Sequence, residues 1–189
     1  MAGLPFYVQT LSQQSAVGTL FNTYTTAKSV LNVTELVPMP GNYLRAGSKL
    51  RICARGGLSN IVTTPGTVVF QVMMGSVVVF TTGTIQMTTT ANTLAPFEFE
   101  ANLRLDSAGS GTAAKFLGMS KLAALNLTIG SGANPTVTDT FVTAPVTAPT
   151  VGTGFDSTVS EILDFWVGFS ISNAGNGVQL YDYSVEQMQ

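Results

Sequence analysis

Between Phe97 and Asp106 the chain reads FEFEANLRLD, and apolar and polar residues alternate without a break. A period of two places Phe97, Phe99, Ala101, Leu103 and Leu105 on one face of a strand and Glu98, Glu100, Asn102, Arg104 and Asp106 on the other. Residues 48–59, SKLRICARGGLS, repeat the alternation: Leu50, Ile52 and Ala54 face one way, and Lys49, Arg51, Cys53 and Arg55 the other. One strand is rich in carboxylates and the other in cations. The pattern therefore predicts neighbours in one sheet, with Lys49, Arg51 and Arg55 pairing with Glu98 and Glu100. Each such cross-strand pair adds a few tenths to about 1 kcal/mol. A slip of one residue would turn the charged face inward, so the pairs also hold the register.

The same period recurs along the chain. Strands are expected over residues 18–26, 29–36 (with room for a bulge), 67–74, 77–82, 84–88, 113–120, 122–129, 161–172 and 177–188, with Gly-, Pro- and Asn-rich turns between them. In the last strand Val178, Leu180, Val185 and one of Tyr181 or Tyr183 are expected to pack. Residues 1–12 read as an apolar arm that folds back on its own domain or lies on a neighbour, and equally as a simple first strand. Pro5 argues against an internal one. Residues 130–155 carry the local repeat Thr-Ala-Pro and read as a long extended loop with one short strand. Long ordered loops usually have a job, such as reaching a neighbouring subunit.

Eight to ten strands without a convincing helix indicate an all-β protein. It is expected to be a single-domain β-sandwich over residues 13–189, of jelly-roll type, with residues 1–12 as the arm. An immunoglobulin-like sandwich ranks second, since the Cys…Trp…Cys pattern is absent.

Composition narrows the function. Only 10% of the 189 residues are charged, against about 25% in ordinary domains; Thr, Ser, Asn and Gln supply the polarity instead. Such a surface suits a protein packed against partners better than a lone monomer. The net charge of −2 and the lack of a basic patch argue against nucleic acid as a partner. No basic stretch followed by an apolar run marks a secretory leader. No run approaches the roughly 20 apolar residues of a membrane span, so synthesis in the cytoplasm is expected.

Reactive chemistry is scarce. Without histidine there is no Ser–His–Asp triad and no His-ligated metal. A single cysteine, Cys53, allows no internal disulfide and reads as a buried or half-buried thiol. Ser120 and Lys121 are adjacent and should point to opposite faces of a strand. Asp156, Glu161 and Asp164 could gather around Ca²⁺, but their spacing fits no Ca²⁺ loop, and Asp156 before Ser157 and Thr158 reads as a turn cap. The stretch from Gly109 to Lys115 lacks phosphate-loop spacing. Glu98 and Glu100 share a face, but a paired-carboxylate enzyme needs a cleft, and none is indicated. No enzyme and no cofactor is expected. Trp166, Tyr181 and Tyr183 could offer aromatic faces to a sugar, though such residues are more often core or interface.

The segments LRAGSKLRICARGGLSN, TTPGTVVFQVMMGSVVVFTTGTIQM, APFEFEANLRLDSAGSGTAAKF and VGTGFDSTVSEILDFWVGFSISNAGNGVQLYDYSVEQM together resemble a class of structural proteins of tailed bacteriophages. The resemblance covers most of the chain beyond residue 40. In that class an Arg- and Leu-rich strand leads to a TPGT hairpin, an acidic aromatic strand follows, and a turn precedes the C-terminal strand. This chain departs from it in carrying Phe97 where Trp is common. The resemblance implies a jelly-roll capsid decoration, or cement, protein. Its partners would be itself, as a homotrimer, and the major capsid protein, on the outer surface of the virion. Under that implication the assembly contacts are expected in the arm, at Leu4, Phe6, Tyr7, Val8 and Leu11. A second set is expected in the long loop, at Thr140, Phe141, Val142, Pro145, Val146, Pro149, Val151 and Phe155. The alternative is a tail or head-fibre module that binds host-surface glycans.

Overall fold

The computed structural model describes residues 7–61, 63–125, 127–128, 141–145 and 151–188. In chain order the strands are β1 (Val8–Gln13), β2 (Phe21–Asn22), β3 (Lys28–Ser29), β4 (Val37–Met39), β5 (Lys49–Asn60), β6 (Thr67–Met74) and β7 (Val77–Thr81). They continue as β8 (Ile85–Met87), β9 (Asn92–Ser107), β10 (Lys115–Ala124), β11 (Leu127–Thr128), β12 (Phe141–Ala144), β13 (Glu161–Phe169) and β14 (Gly177–Met188). A short 3₁₀ turn, Val33–Glu35, is the only helical element among the described residues. The first sheet runs β1-β14-β5-β9-β10-β12, with β2 also on β14. The second runs β11-β8-β6-β13-β3, with β4 on β13 and β7 on β6. Every pairing is antiparallel. The two sheets pack face to face, and the protein is a β-sandwich.

Alternation sets which face is buried. Phe97, Phe99, Ala101, Leu103 and Leu105 of β9 all point into the core, as do Leu50, Ile52 and Ala54 of β5. From the second sheet Phe70 and Phe165 meet them. The rings of Phe99 and Phe165 lie 5.1 Å apart, and Phe70 is 5.6 Å from Phe99. Tyr183 of β14 closes the cluster 6.0 Å from Phe165. Aromatic pairs in this range add about 0.5–1.5 kcal/mol beyond the area they bury.

Two expectations are corrected and one open choice is settled. Residues 18–36 do not form two long strands. They give the two-residue strands β2 and β3 and the 3₁₀ turn, where the buried Glu35 carboxylate accepts from the Asn32 backbone N–H at 3.1 Å and side-chain amide at 2.9 Å. Residues 113–129 are not two strands of one kind. Lys115–Ala124 is continuous through Ser120 and Lys121, and the chain then changes sheet at β11. Leu122 and Ala124 point inward, so Ala123 and Leu125 lie on the opposite, outer face. In β14 the ladder with β5 shifts between Leu180 and Asp182. Tyr181 is the extra residue of this bulge and is exposed, while Tyr183 is buried. The bulge decides between the two tyrosines.

Candidate functional site

The charges of this chain gather on one face. The outward positions of β5, β9, β10 and β14 hold Lys49, Arg51, Arg55, Arg104, Lys115 and Lys121, six of the eight basic residues. They also hold Glu98, Glu100, Asp106, Asp182 and Glu186, five of the ten acidic ones. In sheet order β14 is acidic, β5 basic, β9 acidic along its first half, and β10 basic.

The predicted pairing is present for four of its five members. Arg55 stands directly opposite Glu98 on one side and Asp182 on the other. Its Nη2 lies 2.8 Å from Glu98 Oε1 and its Nη1 3.0 Å from Asp182 Oδ2. Arg51 reaches Glu100 on the diagonal, with Nε at 3.3 Å from Oε1, and Glu186 at 3.7 Å. Lys49 is the exception. Its register partner on β9 is Arg104, a like charge, and Arg104 turns instead to Asp106 at 2.9 Å. The Glu100 carboxyl is held below the usual range, first by the hydrogen bond from the Asn102 amide and then by Arg51 and Lys121. A general acid at neutral pH needs the opposite shift. Cys53 sits between the two arginines, and burial pushes its thiol up. That keeps it protonated and poorly nucleophilic.

Beside this charged field lies a groove of about 470 Å³. It forms because strand positions there lack bulk. The outer face at this level offers Gly57, Pro96 and Ala123, and Gly56 lies at the β14 bulge. A Cβ on Gly56 would meet the Gln179 carbonyl oxygen at 2.0 Å, and one on Gly57 would meet Leu94 Cβ at 2.7 Å. Leu94, at φ 49°, lies over Gly57 and forms one wall. Leu125 and Tyr181 form the rims, 59% and 46% exposed, and Arg55 with Glu98 borders one side. The signal for this groove was present as Gly56-Gly57 and Pro96 inside strands, where side chains and a backbone donor are missing. Tyr181 gave no such signal, because only the bulge turns it outward.

The other residues singled out for assembly separate. Tyr7, Val8, Phe141 and Val151 are exposed, and Leu11 and Pro145 are half-buried. Val142 and Phe155 are corrected: each is 3% exposed and belongs to the core. Val142 points inward from β12, and Phe155 stacks on Phe116 at 5.4 Å. Leu4, Phe6, Thr140, Val146 and Pro149 lie outside the described residues.

The remaining candidates have structural partners. Asp156 accepts from the Thr158 hydroxyl at 2.6 Å and backbone N–H at 2.8 Å, and from Gly111 N–H at 2.7 Å, as a turn cap does. Asp164 accepts from the Ser29 hydroxyl at 2.8 Å and the Trp166 indole at 2.6 Å. Among the described residues no three His, Cys, Asp or Glu side chains are grouped to hold a metal ion. Ser120 is buried and Lys121 exposed, on opposite faces of β10.

The outer face of the second sheet is different in kind. Among its described residues it shows half-buried Val69, Gln71 and Trp166 and exposed Ile162, and its one central carboxylate, Asp164, is already hydrogen-bonded. No helix among the described residues is long and apolar enough to cross a membrane. No known family model matches the chain, and no curated protein matches it.

Proposed function

We propose that this chain is a structural protein of a tailed-bacteriophage particle, a jelly-roll sandwich that decorates the outer shell as a homotrimer and clamps neighbouring capsid subunits. The observation that carries this reading is the division of charge between the two faces. Eleven of the eighteen charged residues crowd one sheet, and the other sheet presents a sparsely charged face with Ile162 and Trp166 on either side of the hydrogen-bonded Asp164. A sparsely charged, partly apolar face whose one central carboxylate is already hydrogen-bonded loses less on leaving water than a face crowded with charges, each of which costs several kcal/mol if left unpaired. The second sheet is therefore the side that rests on a shell, and the charged sheet is the side that meets solvent and neighbours.

Strand order supports the jelly-roll part. With β2, β10, β11 and β12 set aside, and the rest taken in chain order as β1, β3 with β4, β5, β6, β7 with β8, β9, β13 and β14, these eight units fall into the sheet orders 1-8-3-6 and 2-7-4-5. Such an order is what a double Greek-key winding, known from viral shell proteins and lectins, would produce, and it supports that part of the reading. Because one fold serves both classes, a second reading rests on the rim residue Tyr181: a tail or head-fibre module that stacks host glycans on that ring.

Copy number in purified particles, measured by quantitative mass spectrometry against the main shell protein, tests the proposal. A ratio near one to one, or a simple fraction of it, is expected. A ratio near roughly one to a hundred would move the protein to the tail or a fibre, and absence from particles would overturn both readings.

A further inference from the structure

The groove between Leu94, Leu125 and Tyr181 lies at one end of the first sheet, and the apolar arm leaves from the other end. β1 runs antiparallel to β14, with Val8 opposite Met188 and Gln13 opposite Ser184. Followed back toward residue 7, the chain moves away from Tyr181. Seven residues of β14 separate Met188 from Tyr181, a distance of about 24 Å. Leu4 stands four residues before Val8 and can reach at most about 14 Å from it, even fully extended. The apolar side chains of the arm therefore cannot enter the groove of their own chain.

The groove suits such side chains. Its floor is glycine, proline and alanine, and its rims are Leu125 and Tyr181. Its one cation is already engaged. The Arg55 fork is already spent on Glu98 through Nε and Nη2 and on Asp182 through Nη1. A hydroxyl-rich sugar binds through free, directed hydrogen-bond groups; an apolar peptide does not need them. At the base of the arm Tyr7 and Val8 stand 65% and 51% exposed, with no cover from their own sandwich.

We propose that the groove lined by Leu94, Leu125 and Tyr181 receives the apolar arm, Leu4 to Val8, of a second copy of this chain. The contact is head-to-tail: one end of the sheet gives the arm and the opposite end takes it. Contacts of this kind close into rings when the rotation per subunit allows. The inference rests on the oligomeric part of the reading above and is independent of any capsid.

Two variants of the full chain test it by sedimentation velocity over a range of concentrations. The groove variant combines Leu125→Lys with Tyr181→Ala; both side chains are exposed, so the sandwich should stay folded, which circular dichroism checks. The arm variant combines Leu4→Asp with Phe6→Asp. The wild type is expected to be oligomeric, and each variant to weaken association roughly tenfold or more. An equimolar mixture of the two variants should recover dimers, because one intact groove then meets one intact arm. In a Cys53→Ala background, Phe6→Cys with Leu125→Cys should form disulfide-linked oligomers on a non-reducing gel. A monomeric wild type at high concentration overturns the inference. So does an oligomer that both variants leave unchanged. Saturable binding of a glycan panel that is lost with Tyr181→Ala but kept in the arm variant would assign the groove to sugar instead. Oligomers that form as expected from a protein missing from particles would keep this inference and remove the capsid reading.

Discussion

Arg55 and Glu98 are direct cross-strand partners on β5 and β9, and both Nε and Nη2 of the arginine reach the same carboxylate oxygen, at 3.0 and 2.8 Å. Because Nη1 also holds Asp182 on β14, one side chain ties three adjacent strands. All three partners are about half exposed, so solvent screening limits the gain.

Replacing Arg55 with alanine should lower stability by on the order of 0.5–1 kcal/mol in dilute buffer. The loss should shrink in high salt. Arg55→Glu should cost more, because it sets like charges opposite both Glu98 and Asp182. Urea denaturation at low and high ionic strength measures both, and an Arg55→Glu variant as stable as the wild type would show that the pairing has no energetic weight.

The core should respond on a larger scale. Phe165 is fully buried and touches ring clusters from both sheets. Phe165→Ala is expected to cost about 3–5 kcal/mol, enough to unfold a marginal domain. A loss under about 1 kcal/mol in denaturant titration would mean that the two sheets do not close over this ring.

If the proposed capsid role holds, Ile162→Glu adds a charge to the sparsely charged face of the second sheet, at a side chain that is 46% exposed. Folding and oligomer size should be unchanged. Binding to particles that lack the protein should fall by roughly tenfold or more, since a buried unpaired carboxylate is costly. Co-sedimentation with such particles reads the effect, and unchanged binding would shift the contact to another face.

Stability should be nearly flat from about pH 5 to 8, because the chain has no histidine to titrate there. Glu100 and Asp156 are held below the ordinary carboxylate range, by Asn102 first and by Thr158 first respectively. Their contribution is present above that range and disappears as pH falls through the lower folded values. Cys53, Tyr24 and Tyr183 are pushed up by burial. Theirs is complete below the ordinary thiol and phenol values and disappears as pH rises past them. Thermal melts across the pH range should show a plateau with two shoulders. A step near pH 6.5 would contradict this account.

Much of this was legible in the residues. The run from Phe97 to Asp106 specifies its buried face position by position, and the opposite charges of Arg55 and Glu98 correctly anticipate that β5 and β9 are neighbours. The failures have physical causes. The break expected after Ser120 is absent because β10 stays paired with β9 without interruption from Phe116 to Ala124. Val30 and Leu31 reach the core from irregular backbone, so their apolar spacing suggested longer strands than exist. The neighbours of Lys49 and the outward turn of Tyr181 depend on register and on a bulge. Both are set by the partner strand, and neither leaves a mark in the local pattern.

The charged face has one further consequence. Six cations and five anions interleaved strand by strand leave almost no net field, and what remains dies within a Debye length of about 8 Å. Such a surface holds water tightly but neither draws in nor repels polyelectrolytes at a distance. Wherever this sheet faces outward, it behaves as a zwitterionic coating, wet and close to electrically silent.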